Sequence, residues 1–281
     1  MGKALRPVIA LTPLLAFMGI FFFSPIAAVI VDSFHDNSGE FSLINYVDVL
    51  REPIKTALIT SFGLALVSAL TASIPGAILA FLIESRGSQR LRQLIASIAG
   101  VLANTGGVPL AFMFIAALGA EGAATSFLKA LGFDLYSTGF SLYSFWGLVV
   151  VYSYFQIPMM VIVFSPAIHG LRREWSEAAR TLGATTAQFW TRIGIPLLFP
   201  SFFSSFLLLF ASAFSAYATA RAMTNGTIPL VPLMIGNLLD GNVIFDEVNL
   251  AKALAVAMVL VTLAAMVPYL VIQRRAERWQ K

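Results

Sequence analysis

The sequence predicts an all-α membrane protein with six transmembrane helices and both termini cytoplasmic. Three observations carry that prediction. Of 281 residues, 58% are hydrophobic and 11% charged, against about 25% charged in an average soluble protein. That is too little charge to clothe a soluble surface. Six uncharged runs each reach the roughly 20 residues that cross a bilayer as a helix. Lys and Arg fall unevenly on the two sides those runs define. Helices are expected over strands because an open strand leaves backbone polar groups unsatisfied in lipid.

The spans are expected at about 8–31, 56–83, 95–118, 142–168, 197–220 and 252–273, within a single transmembrane domain covering 1–281. The first follows Lys3 and Arg6 as a signal peptide would. It exceeds the apolar stretch of about 7–15 residues typical of such peptides and lacks a small-residue cleavage site, so it reads as a retained span. Asp32, Asp36 and Glu40 follow in an outer loop, a solvated charge-rich segment with cation binding as the alternative. The third run is interrupted by Asn104-Thr105-Gly106-Gly107-Val108-Pro109, either a broken helix lining a cavity or a packing kink. The fourth carries Tyr154 and Gln156, and the fifth carries Ser215 and Tyr217. Arg221, just past the fifth, is an interfacial arginine or a contact for solute. With Asn104 and Thr105 these make up the pathway candidates. Small hydroxyl residues serve plain helix packing equally well. An outer loop with Pro229, Pro232, Gly236, Gly241, Asp246 and Glu247 precedes the sixth span.

Orientation follows from the basic residues. Lys3, Arg6, Arg86, Arg90, Arg92, Arg172, Arg173, Arg180, Arg192, Arg274, Arg275, Arg278 and Lys281 share one side; Arg51, Lys55, Lys129, Arg221 and Lys252 take the other. The richer side is cytoplasmic. The net charge of +4 therefore reflects topology, and no nucleic-acid partner is expected.

Several chemistries lack their residues. With no cysteine, disulfides, thiolate zinc and iron–sulfur sites are excluded. His35 and His169 sit on opposite sides of the membrane, and no metal site is expected. There is no phosphate-binding GxxxxGK[ST] loop and no G-x-S-x-G elbow, so the chain reads as no enzyme. All six span interiors lack Asp, Glu, Lys and Arg, which disfavours the rival reading as an ion-coupled secondary transporter. Energy would come from outside this chain.

The informative loop is 169–196, HGLRREWSEAARTLGATTAQFWTRIGIP. It reads as a helix from Arg172 to Leu182, a stop at Gly183, a second helix over 186–192 and membrane re-entry at Pro196. Trp175, Phe189, Trp190 and Ile193 would supply its apolar contacts.

Glu177-Ala178-Ala179, then Gly183, then Ile193-x-Ile195-Pro196 resembles, in every spacing, the EAA loop of permease subunits of binding-protein-dependent ABC importers. The departure is Ile195, where the family usually has leucine. The resemblance implies a type I ABC importer permease fold, most similar to the polyamine, ferric-iron and phosphonate group, with a sugar-importing permease as the alternative. It implies that Glu177, Ala178, Ala179, Gly183, Ala184, Phe189, Ile193 and Pro196 contact a cytoplasmic ATPase. It further implies a homodimeric ATPase binding ATP and Mg, a second permease subunit, an extracytoplasmic solute-binding protein and a bacterial cytoplasmic membrane. This chain would bind no cofactor itself.

Overall fold

The computed structural model describes residues 11–36, 38–224, 226–240 and 248–278. Lys3, Arg6, the first residues of span one, Gly241, Asp246, Glu247 and Lys281 lie outside them. The helices are α1 (Leu11–Asp32), α2 (Ile44–Asp48), α3 (Ile54–Arg86), α4 (Gln89–Asn104), α5 (Gly107–Leu118), α6 (Ala123–Ala130), α7 (Phe145–His169), α8 (Arg173–Thr181), α9 (Thr186–Phe214), α10 (Ala218–Thr224), α11 (Val231–Leu239) and α12 (Val248–Arg278). Among the described residues there is no strand beyond one His35–Phe41 bridge. Among the described residues six helical segments are long and apolar enough to cross a membrane.

Two expected spans are divided. The stretch over 95–118 splits between α4 and α5, because Gly107 takes φ +77° and α4 cannot run through it. The apolar crossing is Gly107–Ala130 instead. The stretch over 197–220 starts earlier, at Thr186, and stops at Phe214. Just past its end the Tyr152 hydroxyl donates to the Ala216 carbonyl at 3.1 Å.

Proline explains two local widenings. A π turn occupies Gly19–Phe23 in α1 and another Trp190–Gly194 in α9. Pro25 and Pro196 follow each by two positions. A proline ring crowds the carbonyl four residues back and offers no N–H. The preceding Ser24 and Ile195 amides instead reach carbonyls five back, at Gly19 and Trp190. The wider turn relieves the crowding.

The chain divides into two compact units. One comprises Met1–Ala57 with Val231–Leu260. In it α1 buries none of its apolar window, as a lipid-facing helix would. The loop after α1 is tightly bonded. Asn45 Nδ2 donates to the Ser33 and His35 carbonyls, Lys252 Nζ meets Asp32 Oδ2 at 2.9 Å, and Asn249 Nδ2 donates to the Asp36 carbonyl. Asp36 Oδ1 accepts from the Ser38 amide, the Ser38 hydroxyl and the Glu40 amide. Asp32 and Asp36 are thus engaged within the chain. Among the described residues no group of His, Asp and Glu could hold a metal.

The second unit comprises Leu58–Leu230 with Val261–Lys281, and α7 is its core. More than half of α7's apolar window is buried, including Leu148, Val151, Tyr152, Gln156 and Met160. It packs on α4 and α9. On its other flank Gly76 lets α3 approach closely, since a Cβ there would lie 2.6 Å from Met160 Cβ. Small residues serve this purpose between membrane helices, where lipid is as apolar as leucine. A Thr71–Ser153 hydroxyl contact at 3.1 Å adds polar glue.

Candidate functional site

The segment 169–196 forms two helices joined by a tight, doubly capped turn. Gly183 adopts φ +82° at the end of α8. Its amide donates to the Arg180 carbonyl at 2.9 Å, and the Ala184 amide donates to the Ala179 carbonyl at 2.9 Å. These two bonds define a Schellman end, which needs a left-handed residue where glycine alone is unstrained. The next residue but one opens α9. Thr185 Oγ1 accepts from the Gln188 amide at 3.2 Å while Gln188 Oε1 accepts from the Thr185 amide at 2.8 Å, a complete capping box. Such a cap contributes on the order of 1 kcal/mol. The amides of Gly183, Ala184, Thr185 and Gln188 are therefore satisfied within the turn, which fixes its geometry.

The structure divides the loop's residues into a buried and an outward set. Ala179 and Phe189 are buried, Ala184 is half-buried, and Glu177, Ala178, Gly183 and Pro196 are exposed. Ile193 is 40% exposed, so unlike Phe189 it is not among the covered apolar contacts. Trp190 packs edge-on against Phe81, with ring centroids 5.0 Å apart. Among the described residues no group bonds the Glu177 carboxylate; only its backbone carbonyl is used, by Thr181 Oγ1. Sequence pattern does not single out Leu182, which stands 87% exposed at the tip. The Thr185-x-x-Gln188 cap was readable from its spacing.

Beside this turn lies a cleft of about 560 Å³ between the ends of α3 and α7, the start of α4, and α8. Glu84, only 8% exposed at its side chain, lies 2.7 Å from His169 Nε2 and 3.5 Å from Arg92 Nε through Oε2. Glu84 Oε2 and Arg92 Nε make no aligned hydrogen bond, so Arg92 balances the Glu84 carboxylate through charge alone. The Arg92 guanidinium also donates to the Glu84 carbonyl.

Four of the seven pathway candidates, Asn104, Thr105, Ser215 and Tyr217, lie at two helix breaks. Gly107, at the start of α5, meets Thr219 in α10: the Gly107 amide donates to Thr219 Oγ1 at 2.9 Å, and that hydroxyl donates back to the Gly107 carbonyl at 3.3 Å. Asn104 and Thr105 lie at the first break, bonded to the Gly100 and Val101 carbonyls. Ser215 and Tyr217 lie at the second, with Ser215 Oγ on the Ala211 carbonyl. Tyr217 is exposed and Arg221 half-buried, its amide on the Tyr217 carbonyl. Tyr154 stands apart, edge-on to Phe114, and Gln156 is fully buried, donating to the Leu209 carbonyl at 3.1 Å. Thr219 and Tyr152, which hold the breaks, lie too far in sequence from their partners for spacing to reveal them.

A family model for binding-protein-dependent transport system inner membrane components matches residues 72–281. The chain is 23% identical over 241 residues to a probable sulfate transport system permease protein from Prototheca wickerhamii, covering 82% of this chain and 89% of that one. It is 29% identical over 137 residues to a spermidine/putrescine transport system permease protein from Haemophilus influenzae, about half of each chain. Its fold is similar to a chain in a crystal structure of a bacterial ABC transporter involved in the import of the acidic polysaccharide alginate. That likeness has TM-score 0.73 and 19% identity and covers 99% of this chain and 97% of that one. Because the family match takes in most of the chain and both broken helices, the protein belongs to these inner membrane components: it is a multi-pass permease subunit of a type I ABC importer, a transport subunit and not an enzyme.

Proposed function

We propose that residues 169–196 couple this permease to a separate ATPase, with both termini and that loop on the cytoplasmic side of a bacterial inner membrane. The observation that carries the reading is the doubly capped turn at Gly183. It holds Leu182 out as an apolar side chain in want of cover and leaves the Glu177 carboxylate free of internal bonds among the described residues. A stiff turn transmits displacement where a floppy one would absorb it. This chain binds no nucleotide; an ATPase pair holds ATP and Mg. Closure of that pair draws two permease subunits, copies or relatives, from inward-facing to outward-facing, toward a docked solute-binding protein. Nucleotide acts by its different affinity for the two states.

The two clamped breaks form the wall of the pathway, with Asn104, Thr105, Ser215, Tyr217 and Arg221 nearest the solute and Tyr154 and Gln156 behind them. The solute is small and polar or charged. Relatives named for sulfate, spermidine/putrescine and molybdenum transport support this reading. A sugar is the second reading, favoured by 24% identity over 234 residues to a trehalose permease of Mycobacterium tuberculosis.

The test is recovery of an ATPase with the tagged chain purified from membranes. Native protein brings the ATPase down. Gly183→Asp reduces recovery about tenfold, since a residue with a Cβ loses roughly 1–2 kcal/mol in the left-handed conformation. A well-folded native chain that recovers no ATPase would sink the coupling assignment.

A further inference from the structure

We infer that the cleft beside α8 binds the phosphodiester headgroup of an anionic membrane phospholipid. Ser176 and Arg180 lie four residues apart on one face of α8, and they line the cleft together with Arg172, the residue that precedes the helix. Among the described residues neither Arg172 nor Arg180 is in an ion pair. The acid across the cleft, Glu84, is already in contact with Arg92 and His169. Its charge is offset, and two unpaired guanidiniums remain facing the same space. Guanidinium is planar and forked, and matches phosphate oxygens two at a time. Hydroxyls of Ser85 and Thr186 on the lining add donors.

Depth identifies the source of the phosphate. The cleft is bounded by the ends of membrane-spanning α3 and α7, and Phe81 and Trp190 meet edge-to-face in its lining. The amphipathic ring of Trp190 is of the kind that sits at the headgroup level, and basic pockets between spans at that level take anionic headgroups. The opposite face of α8, with Glu174, Ala178 and Thr181, is exposed and remains open to a protein partner. A lipid in the cleft ties α8 to the span ends without occupying the surface that an ATPase would cover.

The inference is tested on the purified full chain by native mass spectrometry with added phosphatidylglycerol or phosphatidylcholine. Phosphatidylglycerol is retained selectively by the native chain. In the double variant Arg172→Gln, Arg180→Gln its affinity falls about 25-fold, roughly fivefold for each guanidinium lost. Arg192→Gln removes an exposed arginine outside the cleft and leaves retention unchanged. Equal retention of both lipids by the native chain overturns the proposal, as does undiminished phosphatidylglycerol in the double variant. Displacement of the lipid by millimolar inorganic phosphate shows a free-anion site and overturns the lipid assignment. A double variant that keeps its lipid but loses the ATPase puts these arginines at the protein interface, again overturning it. Gly183→Asp, which tests the coupling reading, keeps its lipid, so the two proposals fail separately.

Discussion

At the scale of single residues, polar side chains decide where the backbone departs from regular helix. Thr219 is the clearest instance: one hydroxyl, 4% exposed, satisfies both the amide and the carbonyl of Gly107 across 112 residues of sequence. Thr219→Val keeps the shape and removes both bonds, leaving buried backbone groups at about 1–3 kcal/mol. Its thermal midpoint in detergent should fall well below that of the native chain, whereas Thr219→Ser should stay close to native. An unchanged midpoint for valine would show that the break is held by something else. Asp36, outside the spans, offers a second check. The Ser38 hydroxyl, and then the amides of Ser38, Gly39 and Glu40, bond its ionised form and hold it below the ordinary value of 3.8. A carboxylate lowered on folding contributes stability above its unfolded value and loses it as pH falls through the lowered one. The loop after α1 is therefore firm at neutral pH and loosens in acid. An NMR titration of the Ser38 amide should show a midpoint below 3.8; one at or above it would contradict the turn geometry.

Within elements, proline position and cap chemistry set the shape of the segment 169–196 proposed to couple to the ATPase. The π turn at Trp190–Gly194 follows from Pro196, and it rotates the start of α9 relative to the rest. Pro196→Ala restores an amide able to reach the Arg192 carbonyl, so the turn tightens toward α geometry and shifts the capped loop by about one residue. Transport should drop steeply, while insertion and yield stay near native because the change favours helix. Uptake at the native rate would show that the register of this turn is immaterial. Much of this segment was legible: the stop at Gly183 and a helix on either side of it follow from residue type, whereas the second helix does not end near 192 but runs on through Pro196 to Phe214. The π turn was not, because proline spacing reports crowding without saying whether the helix kinks, breaks or widens. The third span was half legible. The Gly-Gly-Val-Pro run announces a break, but whether it is a kink or a true interruption depends on Thr219 being there to take the freed groups.

For the whole molecule, burial differs from helix to helix: none of α1's apolar window is covered, and more than half of α7's is. Topology is directly testable, because the chain has no cysteine to confuse labelling. Glu40→Cys should react with a membrane-impermeant maleimide on intact cells, and Thr181→Cys should react only after permeabilisation. Labelling of Thr181→Cys from outside would invert the proposed orientation and remove the loop from any cytoplasmic partner.

The number of spans, their helical nature and the loop bearing the Glu-Ala-Ala pattern were determined by the sequence alone. Lipid demands long uncharged runs, and a glycine or proline acts on its immediate neighbours, so these features are local and can be read along the chain. What required the tertiary structure is every pairing between distant residues: Thr219 with Gly107, Tyr152 with Ala216, and Glu84 with Arg92 and His169. The facing of Arg172 and Arg180 into one cleft belongs with them. Hydrophobic periodicity does not encode such pairs, because in a helix apolar all round it leaves unspecified which side meets which neighbour. Close packing and the need to satisfy buried polar groups make that choice.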